Sequence, residues 1–207
     1  GIEGEFERVL VVVEGVYSMD GDVTPLPHLV GLRGKFGFWL MVDEAHALGV
    51  LGEKGRGTFE HFGIDPSNVD IWMGTLSKTA SSCGGYVAGC SALIQILKAN
   101  AGGFVYSVGL PPVLASSALA SLSILENEPD RVAQLRENGR LFLDVARRAG
   151  LDTGTSGGHY IVPVIVGDSL RAVQLSNELL KADVNALPII YPAVQEGMAR
   201  IRFFLTS

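Results

Sequence analysis

The feature that most limits how this chain can fold is a run of five apolar residues, Val9-Leu10-Val11-Val12-Val13, that stops at Glu14-Gly15. The run is largely β-branched and shows no polar alternation, which is the pattern of a strand covered on both faces. Phe38 to Val42 repeats the pattern and stops at Asp43. Ile71-Trp72-Met73 stops at Gly74-Thr75, and Tyr86-Val87-Ala88 is a shorter run bounded by glycines. Strands of this kind, with helices or loops between them, predict an α/β fold built on a mostly parallel sheet. In such sheets the chemistry gathers where strands end at their carboxyl edge. Three of these ends carry polar groups: Glu14 with Ser18, Asp43 with His46, and Thr75 with Lys78.

The segments between and after these runs read as helices. Pro25 to Arg33 opens on a proline, which suits a first helical turn. Ser91 to Ala99 is a second. A third starts at Pro111-Pro112 and aligns Leu114, Ala118, Leu122 and Leu125 on one face. A fourth runs from about Pro129 to Ala149 with Val132, Leu135, Phe142 and Val145 as its apolar stripe. The glycine-rich stretch Gly150 to Gly158 reads as a domain boundary, which gives a first domain over 1–150 and a small α/β domain over 151–207. The latter is expected to hold a strand (Ile161 to Val166), a helix (about Ser169 to Lys181) and a last strand (Arg200 to Leu205).

Composition narrows the function classes. Hydrophobic residues make up 47% and charged residues 18%, enough apolar material for a packed core. Net charge is −6 and the basic residues are scattered, which argues against nucleic acid and against an anionic membrane surface as partners. Mean hydropathy is high at +0.31, yet no apolar run approaches the roughly 20 residues that a membrane span needs. The two cysteines, Cys83 and Cys90, are not spaced as a zinc site and follow no secretory signal, so they read as reduced thiols of a cytoplasmic protein.

Lys78 sits in Gly74-Thr75-Leu76-Ser77-Lys78, just past a buried strand. A lysine partly desolvated at such a place favours its neutral, nucleophilic form. Thr75 and Ser77 supply hydroxyls that can bind a phosphate. Taken alone, the segment reads more readily as that of an ordinary surface lysine. Asp43 ends an apolar strand, so its carboxylate must be solvated, paired or hydrogen-bonded. It is either a capping aspartate or the partner of a protonated ring nitrogen. His46, three residues on, falls on the same side of a turn, as a structural histidine or as a donor to a reacting oxygen. Asp43-Glu44-Ala45-His46 also occurs as a magnesium-binding segment in RNA helicases, but such motors need a phosphate loop of the G-x-x-x-x-G-K-[ST] type, and this chain has none.

The motifs together resemble one family. Glu14-Gly15-Val16-Tyr17-Ser18-Met19-Asp20-Gly21-Asp22, Asp43-Glu44-Ala45-His46 continuing through Gly49, Gly52 and Gly55-Arg56-Gly57, Gly74-Thr75-Leu76-Ser77-Lys78 and Gly84-Gly85-Tyr86 stand in the order and spacing of the α-oxoamine synthases. Tyr106-Ser107 with Leu110-Pro111-Pro112, and Tyr191-Pro192-Ala193-Val194 with Ala199-Arg200-Ile201-Arg202, extend the resemblance over nearly the whole chain. It implies the large domain of a fold type I pyridoxal 5'-phosphate (PLP) transferase followed by a small C-terminal domain. It also implies a decarboxylating Claisen condensation of an amino acid with an acyl thioester, on CoA or a carrier protein. By the resemblance, Lys78 carries the cofactor as a Schiff base and later moves the substrate's α-proton. Asp43 pairs with the ring nitrogen, and His46 and Ser18 contact the phenolic oxygen. Thr75 and Ser77 hold phosphate, with Ser107 reaching across a dimer interface, and Arg202 holds the amino acid's carboxylate.

Family members are longer, and the resemblance places this chain at their C-terminal half. The aromatic residue that stacks on the cofactor ring and a glycine-containing phosphate turn are expected in a preceding half. His28, His61 and His159 read as structural. The expected assembly is therefore a homodimer or a pairing with a complementary N-terminal half. An aminotransferase or lyase of the same fold, and a truncated subunit without catalysis, are the alternatives.

Overall fold

The computed structural model describes residues 6–207 and divides the chain into two compact units. The first comprises the stretch up to Val16 together with Thr24–Pro129, and the second comprises Tyr17–Val23 with Asp130–Ser207. The division therefore falls at Pro129, ahead of the helix that the sequence reading left in the first domain. The glycine-rich stretch 150–158 is a turn inside the second unit.

In the first unit, β1 (Leu10–Glu14), α1 (Leu26–Phe36), β2 (Trp39–Asp43), α2 (Thr58–Phe62), β3 (Ile71–Thr75) and β4 (Gly85–Gly89) follow in order. The sheet order is β1-β2-β3-β4, with the first three strands parallel and β4 antiparallel to β3. Then come α3 (Ser91–Asn100), α4 (Gly102–Val105) and α5 (Pro112–Asn127). The core is Leu26, Leu40, Val42 and Val69, with Val11, Val13, Leu29, Val30, Phe62 and Trp72 packed around it. One sequence expectation is corrected here. Leu10 and Val12 are 46% and 58% exposed, so β1 is covered on one face only among the described residues. Only its Val11 and Val13 side turns toward the core, and neighbouring β2 shows the same one-sided pattern, with Leu40 and Val42 buried and Trp39 exposed. On α5, Ala118 is buried and Leu114 and Leu125 are half-buried, while Leu122 is exposed.

The second unit holds α6 (Asp130–Arg148), β5 (Ile161–Gly167), α7 (Ser169–Lys181), β6 (Leu187–Ile189) and β7 (Ala199–Phe204). Its sheet is antiparallel in the order β5-β7-β6. Asp168 caps α7 by accepting the Arg171 amide at 2.8 Å. The buried side of α6 is Val132, Gly139, Leu143 and Ala146. Phe142 reaches Phe203 of β7, with ring centroids 4.8 Å apart. Val145, expected in the stripe, is 55% exposed. The stripe is rotated because Gly139 presses on backbone: a Cβ there would lie 2.3 Å from the Gly158 carbonyl oxygen. Among the described residues no helix is long and apolar enough to cross a membrane.

Candidate active site

The register of the first sheet brings the expected strand ends level. Glu14 stands opposite Asp43, and Asp43 opposite Met73, two residues before the end of β3. Beyond β2 the chain turns at once. Asp43 Oδ1 accepts the Ala45 amide at 2.8 Å, which fixes the carboxylate at the strand end. The Glu44 amide donates to the Met73 carbonyl at 2.7 Å, tying this turn to β3. Ala47 and Leu48 both donate to the Glu44 carbonyl, each at 3.0 Å, which closes the turn that carries His46.

Beyond β3, Thr75 and Ser77 pair through their hydroxyls at 2.7 Å, and the Ser77 amide donates to Thr75 Oγ1 at 3.1 Å. The Leu76 amide donates to the Gly84 carbonyl at 2.9 Å, and the Ser82 amide to the Leu76 carbonyl at 2.8 Å. Lys78 therefore stands on a short closed loop between β3 and β4. Its side chain is exposed among the described residues, not partly desolvated as expected, because nothing described covers it. Ser107 lies after α4 in an exposed segment, and its hydroxyl donates to the Val108 carbonyl at 3.2 Å rather than to the Thr75–Ser77 pair.

Ser18 and Arg202 belong to the second unit. Arg202 Nη1 donates to the Ser18 carbonyl at 2.9 Å, and the guanidinium lies 4.5 Å from the centroid of the Phe204 ring. Its Nε is buried without a hydrogen-bond partner. Burial holds its pKa below the usual guanidinium range. A guanidinium in that condition suits a carboxylate from outside the unit. Its neighbour Arg200 is already committed, to Asp20 at 2.5 Å and to the Met19 carbonyl at 3.2 Å.

Three residues to which the sequence reading gave no role stand near these turns. Glu44, the first residue past β2, is 4% exposed. Both its oxygens accept the Thr58 amide, at 3.2 and 3.0 Å. Burial raises its pKa, opposed by the hydrogen bonds from Thr58. Tyr86 stands opposite Gly74 across β3 and β4, and burial, then the charges of Glu44 and Asp43, raise its pKa. Thr79, next to Lys78, donates to the Leu48 carbonyl at 2.7 Å. Nothing in the sequence pointed to Thr79.

The donor set fits PLP. A carboxylate held at a strand end can accept a protonated ring nitrogen, paired hydroxyls with a nearby glycine turn can face a phosphate, and a lysine stands on the same loop as the hydroxyls. Among the described residues no cluster of His, Cys, Asp or Glu could hold a metal ion.

Comparison with known proteins points to one family. The family described as aminotransferase class I and II matches residues 2–207. The 8-amino-7-oxononanoate synthase of Symbiobacterium thermophilum is 45% identical over 205 residues, covering 99% of this chain and 52% of its own length. A serine palmitoyltransferase from S. paucimobilis, solved with bound PLP–myriocin aldimine, superposes with a TM-score of 0.89 at 29% identity, over 95% of this chain and 50% of that one. The 8-amino-7-oxononanoate synthase of Francisella tularensis gives a TM-score of 0.84 at 29% identity, over 96% of this chain and 57% of that one. The chain spans about half the length of the curated relatives it matches.

Proposed function

We propose that this chain, which belongs to the aminotransferase class I and II family and within it to the α-oxoamine synthases, supplies the lysine-bearing part of a PLP-dependent acyltransferase. The reaction is a decarboxylating condensation of an amino acid with an acyl thioester, giving an aminoketone. The observation that carries this reading is the juxtaposition at the sheet edge. The Asp43–His46 turn and the Thr75–Lys78 loop leave parallel strands that are joined there by the Glu44 amide and the Met73 carbonyl, 2.7 Å apart.

Lys78 would hold the cofactor covalently and, once the incoming amino acid's amine has displaced it, its freed amine would take the amino acid's α-proton. When bound, PLP draws electrons from that carbon into its ring, provided the ring nitrogen stays protonated. Asp43 keeps it so by accepting its hydrogen bond. His46 and Ser18 donate at the phenolic oxygen, Thr75 and Ser77 hold the phosphate, and Ser107 contributes from a second copy of the chain. Arg202 orients the amino acid through its carboxylate, where the planar guanidinium fork suits two oxygens. The working assembly is a homodimer, or this chain with a complementary half.

The experiment is to add PLP to the purified chain, reduce with borohydride and locate the modified peptide by mass spectrometry. Label on Lys78, lost in Lys78→Ala, is expected. Absence of label from wild type, both alone and with a complementary half, would overturn the assignment. Amino-group transfer to a keto acid with no thioester present would replace the acyltransferase by an aminotransferase.

A further inference from the structure

The Lys78 loop is held from two sides. On the α5 side, Ser82 Oγ donates to the Leu114 carbonyl at 2.7 Å, and Ser117 Oγ donates to the Ser81 carbonyl at 2.9 Å. On the other side, Thr79 Oγ1 donates to the Leu48 carbonyl at 2.7 Å. Leu48 belongs to the turn that closes on Glu44 and carries His46. The contact is close as well as hydrogen-bonded. Gly49 has φ +80°, and a Cβ at Gly49 would lie 2.3 Å from Thr79 Cγ2 and 2.7 Å from its Oγ1. The threonine side chain fills the space that any side chain at residue 49 would need. Ala80, the next residue, is fully buried, so Thr79 lies between an exposed reactive lysine and an anchored backbone.

Lys78 has a long side chain, and only its backbone limits where the amine can reach. Its carbonyl accepts the Ser81 amide at 2.9 Å, a bond internal to the loop. That bond shapes the loop without setting its distance from the Asp43–His46 turn. The Thr79 hydroxyl links loop and turn directly.

We propose that Thr79 is a positioning residue for Lys78, its hydroxyl fixing the lysine loop against the turn that carries Asp43 and His46. The proposal deepens the PLP reading given above and rests on Lys78 being the reactive lysine. A bond of this kind matters because a small misplacement of a reacting group costs up to about a hundredfold in rate.

The test compares Thr79→Val, which keeps the shape and removes the donor, with Thr79→Ser, which keeps the donor. Two readouts are taken on the full chain. One is hydrogen–deuterium exchange of the peptide that carries the Lys78 loop, without cofactor, read by mass spectrometry. The other is the rate at which Lys78 is trapped by PLP and borohydride. Thr79→Ser is expected to stay within about twofold of wild type in both. Thr79→Val is expected to trap PLP about tenfold more slowly or worse and to exchange the loop amides faster. Wild-type behaviour of Thr79→Val in both readouts would overturn the proposal, and so would a Thr79→Ser variant as impaired as Thr79→Val. If Thr79→Val does not fold, Thr79→Ala, which puts no methyl against the Leu48 carbonyl, takes its place. If wild type is not trapped at Lys78 either alone or with a complementary half, the cofactor reading fails, and loop exchange alone decides whether Thr79 fixes the loop.

Discussion

The two oxygens of the buried Glu44 carboxylate share the Thr58 amide, at 3.2 and 3.0 Å, directly behind the turn that presents Asp43 and His46. The space around them admits no side chain: a Cβ on Gly57 would lie 2.1 Å from Glu44 Oε2, and one on Gly15 would lie 3.3 Å from Oε1. The two glycines let backbone from β1's end and from the start of α2 close around one acid. The loop between Gly49 and Thr58 is thus pinned to the site turn from behind.

This arrangement has a pH signature. Burial raises the Glu44 pKa in the folded protein above its value in the unfolded chain. Between those two values the folded state holds more protons than the unfolded state. Stability from this group is therefore complete below the ordinary glutamate pKa of about 4.3 and is lost as pH rises through the raised folded value. Glu44→Gln keeps an acceptor for the Thr58 amide and does not titrate. Its melting temperature relative to wild type should improve as pH rises from about 4 to 7. A difference that stays flat over this range, or falls, would contradict the assignment. Glu44→Leu leaves the buried amide without an acceptor and should cost about 1–3 kcal/mol near pH 4, a deficit that shrinks as pH rises toward 7.

The carboxylate at the start of β3 has the opposite sign. Asp70 accepts Arg33 Nε at 2.7 Å and Nη2 at 2.5 Å, and it also accepts the Leu40 amide at 2.8 Å. The bond from Arg33, helped by the Leu40 amide, holds its pKa below the usual carboxylate range. Its contribution is present above the unfolded value, about 3.9, and is lost as pH falls through the lowered folded value. Asp70→Asn should cost about 1–2 kcal/mol near pH 6, and that deficit should shrink in acid as the wild-type carboxylate protonates. Denaturant melts at a series of pH values measure it, and an equal deficit at pH 6 and in strong acid would rule this account out.

Much of this could be read from the sequence, for identifiable reasons. The runs ending at Glu14, Asp43 and Thr75 are uninterrupted and apolar, and they stop at polar groups. That is enough to predict the strands and to place their carboxyl ends, and the parallel register then brings Asp43 and Lys78 to one edge. Apolar stripes also found α5 and α6, and an opening proline pointed to α1. Neither signal could find what is carried by hydroxyls and hydrogen atoms. Thr79 looks like any polar loop residue until its bond to the Leu48 carbonyl is seen. The uncovered side of β1 misled the sequence reading, since Leu10 and Val12 are apolar where a strand covered on one face normally alternates with polar residues.

Glycines inside helices make the same point quantitatively. By helix propensity alone, replacing an interior glycine with alanine stabilises by up to about 1 kcal/mol. Gly31 of α1 has nothing within 4 Å of where a Cβ would stand, so Gly31→Ala should gain that amount. At Gly139 of α6 the new methyl would meet the Gly158 and His159 carbonyl oxygens at 2.3 and 2.4 Å, both of them backbone. Neither oxygen can rotate away, so the chain from 158 to 159 must shift, and overpacking of this kind costs about 1–3 kcal/mol or more. The clash outweighs the propensity, and Gly139→Ala should be destabilising despite its helical setting. Thermal or denaturant melts of the two variants should move in opposite directions. If both stabilised the protein, the close approach of α6 to the turn before β5 would be wrong.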